Sequence, residues 1–352
     1  MHKTYKITVC VLTIIAIFFS AMLGVVTAHK ISALSLGDEV YIQGLEEESK
    51  ELGIINILLI GVDEGGFRSD TIMLVSVDSY SDRVNLLSIP RDTMVKAKGY
   101  TIQKINALIG LGKQAAANNK LDEPEELLID TVKDITGLPI HYFASVDFDG
   151  FKEIIDAVDG VDFNVPYNMN YDDPVQDLHI HLKAGHQHLD GDAAHDFIRF
   201  RHNNDGSAPG EYVLGDEGRE YWQQEFIKEL IRQKCKPYYI SKIDEIFKVV
   251  SKNLRTNYTM KDLVNHLELV QRVDFTNVGS YQLPGQAEYI DGVWWYRCSK
   301  EQTRKLINEV FLPKSHSEWE EYLQNKEDST GFDSVDAIHS VNRPKTTVIL
   351  GE

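Results

Sequence analysis

Cysteine is scarce in this chain, whose 352 residues include only three. Cys10 lies in the first apolar stretch, and Cys235 and Cys298 are far apart, without the spacing of metal-binding cysteines. Thiol chemistry and a cysteine-based metal site are therefore not indicated, and partly buried thiols are expected. A disulfide between Cys235 and Cys298 becomes possible if the folded part lies outside the cell.

Positive charge is also in deficit. Lysine and arginine number 36 against 54 acidic residues, which gives a formal net charge of −18. This balance argues against nucleic acid as a partner, because binding a phosphate backbone requires a basic surface. The acidity itself is typical of a solvated surface. A local cluster of arginines in such a chain is therefore informative.

One apolar run is long enough to cross a membrane. It comprises residues 7–28, which are 22 positions without a formal charge. Lys3 and Lys6 precede the run, so the positive-inside rule places the N-terminus in the cytoplasm and the folded part outside. Val26-Thr27-Ala28 resembles a signal-peptide cleavage site, but the run exceeds the usual apolar region of a signal peptide. We expect an uncleaved single-pass anchor in the cell membrane.

The remaining pattern interleaves strands and helices, which predicts an α/β fold with helices layered on a sheet. Strands are predicted at 54–60, 71–77, 83–89, 140–148, 161–165, 178–182 and 278–283. Helices are predicted at 104–117, 125–135, 151–158, 192–200, 217–234, 240–254 and 260–273, with a further helix ending near 311. Residues 29–53 read as a juxtamembrane linker, and residues 313–352 read as a polar, weakly patterned tail.

Arginines and acids are concentrated in three blocks. The blocks are Gly61-Val62-Asp63 with Arg68-Ser69-Asp70-Thr71, then Ser88-Ile89-Pro90-Arg91-Asp92-Thr93, then Arg199-Phe200-Arg201 with Gly215-Asp216, Arg219 and Gln223-Gln224. If the second and third strands form a hairpin, the first two blocks meet at one edge of the sheet, where binding sites are commonly built. Planar guanidinium groups with paired carboxylates suit a pyrophosphate and its metal ion.

Simpler interpretations of these residues remain open at this point. Arg219 and Gln223 are four residues apart on one helix face, with Asp216 one turn earlier, but any single Arg–Asp pair can be a surface ion pair. Asp63 and Asp70 are suitable oxygen ligands for Mg²⁺. Alternatively, Asp63 caps a turn and Asp70 pairs with Arg68.

Histidine is enriched between residues 177 and 195. His179 and His181 share one face of a predicted strand, an arrangement that would suit Zn²⁺. Solvent-facing histidines without a ligand are the expected interpretation.

The whole set of motifs resembles the LytR-CpsA-Psr family. The resemblance covers about residues 54–235 and adds, to the three blocks, Lys104-Ile105-Asn106-Ala107, Val146-Asp147-Phe148 with Phe151, Asp156-Ala157 and Gly160-Val161, and Leu189-Asp190-Gly191. It implies a three-layer α-β-α fold with a central mixed sheet over 54–235 as the catalytic domain. Residues 236–312 are similar to the C-terminal portion of such proteins, packed on that domain.

The resemblance also implies an activity. Members of this family transfer a glycopolymer, such as teichoic acid or capsule, from a polyprenyl-pyrophosphate carrier to peptidoglycan as a phosphodiester. By position, Asp63 and Asp70 correspond to Mg²⁺ ligands, and Asp216 would orient Arg219 or act as a base. The pyrophosphate clamp corresponds to Arg68, Arg91, Arg199, Arg201, Arg219 and Gln223, with Lys104 at its rim; Arg91, Asp216 and Arg219 carry the catalysis.

The family's apolar tunnel for the polyprenyl chain has candidates in 105–111, 127–132 and 154–158, although plain core is the simpler interpretation of each position. The sequence departs from the family at Trp222, where an arginine is common, and in the longer loop 202–215. Two other functions stay open: hydrolysis of a lipid-linked pyrophosphate, and a non-catalytic module that binds polyprenyl phosphates or regulates envelope genes.

Overall fold

The structure is a computed structural model that describes residues 54–78, 83–234, 249, 252–259, 262 and 278–312. The predicted anchor, the linker and the tail lie outside these residues, as does most of the predicted helices at 240–254 and 260–273. Within the described part of the chain, no helix combines the length and the hydropathy that a membrane crossing requires.

The described strands follow the chain in order. They are β1 (Ile54–Val62), β2 (Ser69–Asp78), β3 (Arg83–Ser88), β4 (Met94–Val95), β5 (Gln103–Lys104), β6 (Tyr142–Val146), β7 (Val161–Val165), β8 (Met169–Asp173), β9 (Leu178–Leu182), β10 (Gly185–Leu189), β11 (Leu254–Thr256), β12 (Val278–Gln282), β13 (Gly285–Ile290) and β14 (Val293–Cys298).

The described helices are α1 (Leu108–Ala117), α2 (Glu126–Thr136), α3 (Phe148–Ala157), α4 (Gly191–Arg199), α5 (Asp216–Lys234) and α6 (Lys300–Leu306). Short 3₁₀ turns occupy Ile105–Ala107 and Gly210–Leu214, and a π turn occupies Ile307–Phe311. The described residues form two compact units, one from 54–91 with 138–283 and one from 92–137 with 284–312.

The first unit is built on a mixed sheet of six described strands, in the order β11-β6-β1-β2-β3-β12. β1, β2 and β3 form an antiparallel meander, whereas β6 pairs with β1 and β12 pairs with β3 in parallel. Most side chains of β1 to β3 are buried, which explains their apolar runs. The predicted central mixed sheet is confirmed, and the three-layer order stays a prediction.

Helices α3, α4 and α5 bury their apolar stripes in the core of this unit. Phe151 of α3, Phe197 of α4 and Phe226 of α5 belong to one buried cluster, with the Phe226 ring 6.2 Å from Phe151 and 6.0 Å from Phe197. The α3 and α4 helices begin at Asp147 and Asp190, whose carboxylates accept hydrogen bonds from backbone N–H groups of the first turn. These contacts fix the direction of α4 and α5, which carry the third arginine block.

Close backbone packing explains one glycine of that block. A Cβ atom at Gly218 would lie 2.0 Å from the carbonyl oxygen of Glu211, so only glycine allows the first turn of α5 to meet the preceding 3₁₀ turn. Tyr212 of that turn is buried, whereas Val213 and Leu214 are exposed.

The second unit contains α1, α2 and α6 and two small antiparallel ribbons, β4–β5 and β13–β14. The helix predicted at 104–117 begins only at Leu108, because Lys104 pairs with Met94 in β5 and residues 105–107 form a 3₁₀ turn. In the first unit, the helix predicted to reach residue 254 is also wrong at its end. Leu254 pairs with Val146 of β6 and thus belongs to β11 at the edge of the sheet.

Candidate functional site

A polar cleft of about 660 Å³ lies at one end of the sheet of the first unit. Side chains from the β1–β2 loop, from the segment after β3 and from α4 and α5 line it. Among its lining residues are five arginines and three carboxylates, namely Arg68, Arg91, Arg199, Arg201, Arg219, Asp63, Glu64 and Asp70. The expected convergence of the first two blocks is confirmed, and the third block contributes to the same cleft.

Asp216 forms ion pairs with three of the arginines. Its carboxylate lies 2.7 Å from Arg91 Nε, 3.4 Å from an Nη atom of Arg219 and 3.5 Å from Arg201 Nε. Asp216 is the first residue of α5, and Arg219 follows one turn later on the same face. The aspartate therefore joins the segment after β3, the end of α4 and the start of α5 into one arrangement.

The electrostatics of Asp216 favour one of its two predicted roles. Burial alone would raise the pKa of its carboxyl group, but the guanidinium groups of Arg219, Arg91 and Arg201 outweigh burial and lower that pKa. A carboxylate with a lowered pKa is a weak proton acceptor at neutral pH. This supports a role in positioning the arginines over a role as general base.

Arg219 is the most buried cation of the cleft. Its side chain is only 5% exposed, and neither its Nε nor one Nη atom has a hydrogen-bond acceptor among the described residues. Burial lowers its pKa to about 10, so the group remains charged at neutral pH despite its desolvation. The same Nη atom still lies 3.4 Å from the Asp216 carboxylate, so Arg219 combines one ion pair with donor capacity that suits an anion in the cleft.

Arg199 and Arg201 lie at the end of α4, and their side chains have different neighbours. Arg199 donates to Gln176 Oε1 at 2.9 Å, and its guanidinium lies 4.7 Å from the centre of the Phe148 ring. For Arg201, burial lowers the pKa, and the neighbouring Arg91 lowers it further. Repulsion between these two cations favours binding of an anion between them.

Asp63 and Asp70 both line the cleft, and each has one oxygen engaged. Asp63 Oδ1 accepts hydrogen bonds from the backbone N–H groups of Phe67 (2.7 Å) and Arg68 (3.1 Å), so the predicted turn cap is present. Asp70 Oδ1 accepts from Arg91 at 2.7 Å and not from Arg68, the partner considered from the sequence. Carboxylate oxygens on the same cleft fit the hard-ligand preference of Mg²⁺.

Gln223 has a structural contact at each end of its amide group. Its Oε1 accepts from Thr71 Oγ1 at 3.2 Å, and its Nε2 donates to the backbone carbonyl of Ile198 at 3.0 Å. It therefore ties α5 to β2 and α4 while lining the cleft. Gln224 is more remote and donates to Ser88 Oγ and to the Tyr281 carbonyl.

An apolar cavity of about 80 Å³ adjoins the polar cleft. Asp70, Thr71, Phe148, Ile198 and Gln223 line both, so the two spaces share a wall. The rest of the cavity is lined mainly by apolar residues: Leu59, Ile60, Val62, Met73, Ala144, Val146, Phe151, Phe226 and Ile227.

None of the three ranges considered for a lipid tunnel lines this cavity. Ile154, Ile155 and Val158 are instead buried in the core of the first unit, and residues 105–111 and 127–132 belong to the second unit.

Two other predicted positions are not among the residues that line the cleft. Lys104 belongs to the second unit, where its Nζ pairs with Asp92 at 2.8 Å and lies 5.9 Å from the centre of the Trp295 ring. Trp222 is not among the residues that line the cleft, because its ring packs among Tyr167, Phe197 and Tyr212. An apolar environment on this side of α5 explains why tryptophan is tolerated there.

Sequence reasoning missed two contributors. Tyr171, Val175 and Gln176, from the β8–β9 hairpin, line the cleft, although only β9 was predicted as a strand.

Glu220 is buried beside Arg219 and accepts a hydrogen bond from Gln282 at 3.0 Å. Burial raises the pKa of Glu220 to about 7. The sequence offered one signal for Glu220. It directly follows Arg219 and lies one turn before Gln224 on the same face of α5.

Comparison with known proteins decides the family. The model of the LytR_cpsA_psr family matches residues 27–311. The chain belongs to the LytR-CpsA-Psr family.

Individual LytR-CpsA-Psr relatives agree with this assignment. The chain is 31% identical over 269 residues to a protein of Oceanobacillus iheyensis named polyisoprenyl-teichoic acid–peptidoglycan teichoic acid transferase TagU, covering 74% of this chain and 76% of that protein. The crystal structure of TagV from B. subtilis is 27% identical, covers 73% of this chain and 96% of that one, and superposes with a TM-score of 0.56. The protein gbs0355 of Streptococcus agalactiae, at 23% identity, shares the fold with a TM-score of 0.62 over 79% of this chain and 90% of that one.

Proposed function

We propose that this protein transfers a glycopolymer from a polyprenyl-pyrophosphate carrier to peptidoglycan and forms a phosphodiester. Its curated relatives are named for transfer of teichoic acid to peptidoglycan. Teichoic acid is thus the leading candidate for the polymer, with capsule-type polymers of the same linkage as the next. The polar cleft suits the charged headgroup of such a carrier, and the apolar cavity suits its hydrocarbon tail.

The observation that carries the proposal is Arg219. Leaving a buried guanidinium donor without an acceptor costs about 1–3 kcal/mol, and an anion bound in the cleft would remove that cost. The neighbouring Arg91, Arg199 and Arg201 surround the same volume. One phosphate would need fewer donors, and a pyrophosphate can use them all.

The chemistry follows from this arrangement. An acceptor hydroxyl of peptidoglycan attacks the polymer-linked phosphorus, a P–O bond forms, and the P–O bond to the lipid phosphate breaks. The hydroxyl proton leaves to solvent, and polyprenyl monophosphate is the other product. Negative charge grows on the equatorial and leaving oxygens, and the fixed arginines stabilise it without reorganising. Asp216 keeps Arg91, Arg201 and Arg219 aimed at that charge.

Mg²⁺ is the proposed cofactor, held by Asp63 and Asp70. Both carboxylates line the cleft, and each has one oxygen that is engaged by a protein donor and a second that can face an ion. When bound, the ion neutralises charge on the pyrophosphate oxygens. Lys104 remains a proposed contact at the rim of the clamp.

The apolar cavity is the proposed site for the first part of the polyprenyl chain. Its shared wall at Phe148 and Ile198 would let a headgroup lie among the arginines while the tail enters between the sheet and α5. Such a substrate lies in a bilayer, which fits the proposed single-pass anchor with the catalytic part on the outer surface of a Gram-positive-type envelope.

A transfer assay with the full chain in detergent tests the proposal. A synthetic polyprenyl-pyrophosphate glycopolymer and soluble peptidoglycan oligomers serve as substrates, and mass spectrometry detects the phosphodiester product. We expect product with the unchanged protein and Mg²⁺, and at least a 100-fold loss for Arg91→Ala and Asp70→Ala. The control is Asp192→Asn, because Asp192 is exposed on α4 and does not line the cleft.

The assay also separates the competing functions. Transfer at the normal rate in Arg91→Ala and Asp70→Ala would contradict the catalytic assignment. Release of sugar phosphate at an undiminished rate with abundant acceptor glycan would favour a hydrolase. Tight binding of the lipid substrate with no turnover of any kind would favour a binding or regulatory module.

A further inference from the structure

The outer face of the β8–β9 hairpin carries a set of polar side chains that the proposed reaction does not use. Asn170 and Asp172 of β8 stand directly opposite His181 and His179 of β9 in the antiparallel register. Because side chains alternate along a strand, these four share one face, and Tyr171 lies on the other. The set is partly exposed and lies outside the lining of the cleft.

Three ligand-capable atoms of this set converge. Asp172 Oδ1 lies 2.6 Å from His179 Nδ1 and 3.2 Å from His181 Nε2, and one candidate atom from each residue falls within 4.8 Å of the others. Ligands bound at about 2.0–2.1 Å in a tetrahedral zinc site lie roughly 3.3 Å apart. The 3.2 Å separation between Asp172 and His181 matches that value. The 2.6 Å separation between Asp172 and His179 is a hydrogen-bond distance and would widen by side-chain rotation when an ion binds.

The remaining nitrogen of each imidazole faces an oxygen atom. His181 Nδ1 lies 2.8 Å from Asn170 Oδ1, which can only accept, so the proton belongs on Nδ1 and the Nε2 lone pair points toward Asp172. His179 Nε2 lies 3.7 Å from a carboxylate oxygen of Asp177. The Asn170 contact is a hydrogen bond of the kind that fixes the tautomer and the ring orientation of a metal-binding histidine, whereas the Asp177 oxygen lies beyond hydrogen-bond range.

The strand that carries the carboxylate is held from its other edge. Asn203 Oδ1 accepts from the Asn170 N–H at 2.8 Å, and Asn204 Nδ2 donates to the Asp172 carbonyl at 3.0 Å. These asparagines belong to segment 202–215, which the sequence comparison with the family pattern suggests is longer here. These hydrogen bonds hold the backbone of β8 at the edge that does not pair with β9.

We propose that Asp172, His179 and His181 form a site for a late first-row divalent metal ion, with Zn²⁺ as the natural occupant. Neutral imidazole nitrogens and one carboxylate suit Zn²⁺ and bind Mg²⁺ poorly, because Mg²⁺ prefers oxygen ligands only. The site is thus chemically distinct from the proposed Mg²⁺ position at Asp63 and Asp70. Water completes the coordination at this exposed position.

The ion would join the two strands of the hairpin. The turn of this hairpin supplies Gln176, whose Oε1 accepts from Arg199, so the metal would stabilise an element that borders the cleft. Metal binding is expected to slow backbone hydrogen exchange over residues 169–182 without changing the rest of the first unit.

Metal titration of the full chain in detergent tests the proposal. Co²⁺ is added to metal-free protein in excess Mg²⁺, its visible absorption reports coordination by nitrogen and oxygen, and Zn²⁺ is added as the competitor. We expect one Co²⁺ site per chain that Zn²⁺ displaces. His179→Ala and His181→Ala should each weaken binding at least tenfold, and Asn170→Ala, which removes only an orienting contact, about tenfold.

His188→Ala is the matched control. His188 is 54% exposed and pairs with Asp162 at 2.9 Å, so it resembles His179 in exposure and in having an acidic partner. Among the described residues, however, only Asp172, His179 and His181 bring three ligand atoms within 4.8 Å of one another. Equal loss of affinity in His188→Ala, or unchanged affinity in both His179→Ala and His181→Ala, would overturn the proposal. If near-UV spectra show that His179→Ala or His181→Ala is unfolded, the Co²⁺ affinity of Asn170→Ala becomes the deciding measurement. An unchanged affinity in Asn170→Ala would then contradict the site.

Discussion

The polar cleft and the outer face of the β8–β9 hairpin both gather charged and titratable side chains, but they do so in opposite ways. In the cleft, Arg219 is 5% exposed and two of its nitrogens lack a hydrogen-bond acceptor among the described residues. On the hairpin, His179 and His181 are 52% and 57% exposed, and each has an oxygen partner within the set.

This difference separates two kinds of binding site. A buried cation with unused donors is costly, so its position is maintained by surrounding structure and suits an anion that develops charge during a reaction. An exposed set with satisfied contacts costs little, and only the chemistry of the ligand atoms and their geometry indicate a ligand. Burial and unsatisfied donors therefore carry more information about catalysis than the density of charge does.

The largest expected effect concerns Arg219. Arg219→Met, which keeps much of the side-chain volume, should lower the transfer rate by about 10²–10³-fold, because the donors for the developing charge are lost. The same variant should unfold at an equal or higher temperature, because an incompletely paired buried cation is removed.

Arg232→Met provides the control for Arg219. Arg232 lies on the same helix, pairs with Glu229 and is 56% exposed. Neither transfer nor stability should change appreciably there. A marked loss of stability in Arg219→Met, with transfer reduced only in proportion to the folded fraction, would contradict the anion-binding role.

Asp216→Asn is expected to have the next largest effect. Loss of the charge that holds three arginines should lower transfer by about 10–10²-fold through misplacement of the guanidinium groups. The pH dependence of the remaining activity should match that of the unchanged protein if Asp216, whose pKa is lowered, positions the arginines and does not accept the proton. Loss of the acidic limb of the pH–rate profile would instead identify it as the base.

Glu220→Gln should change stability in a pH-dependent manner. Burial raises the pKa of Glu220 to about 7 in the folded state from 4.5, so its stabilising contribution is complete below pH 4.5 and is lost as pH rises through 7. Glutamine preserves the hydrogen-bonding geometry toward Gln282 without the charge. The free energy of unfolding of the variant should exceed that of the unchanged protein by on the order of 1–3 kcal/mol at pH 8. The two values should be equal near pH 4.5.

Thermal unfolding across pH 4.5–8 checks the Glu220 prediction, with Glu217→Gln, on the same turn but less buried, as the control. Parallel pH profiles for the Glu220→Gln variant and the unchanged protein would show that Glu220 does not titrate in this range.

The smallest effect is expected on the hairpin. In metal-free buffer, His181→Ala should change the free energy of unfolding by no more than about 0.5 kcal/mol, because the side chain is exposed and its partners can bind water. Chemical denaturation measures this value. A loss above 2 kcal/mol without metal would mean that the histidine is structural, and the contrast with the cleft would fail.

Much of the cleft was predictable because neighbouring strands place their ends together. The apolar runs identified β1, β2 and β3, and an antiparallel meander requires the β1–β2 loop and the segment after β3 to meet, as the Arg91–Asp70 pair at 2.7 Å shows. Family resemblance, and not strand geometry, linked Arg199, Arg201 and Arg219 to them. Lys104 was placed on a helix because its neighbours have helical periodicity, whereas strand pairing with Met94 determines its conformation.

Other features depended on partners distant in the chain. The polar segment 169–173 does not resemble a strand, and β8 forms because it pairs with β9 and receives hydrogen bonds from Asn203 and Asn204. Trp222 stands where the family commonly has an arginine, and its aromatic neighbours from other elements place it in packing.

The sequence by itself determined the family, the central strands and the list of arginines and acids, because periodicity and ordered motifs are local properties of the chain. Only the tertiary structure decided that Asp216 holds three arginines, that Arg219 is buried with unused donors and that Asp172 meets His179 and His181. Burial, pKa and ligand geometry are set by residues from separate elements, and their distances exist only once those elements pack.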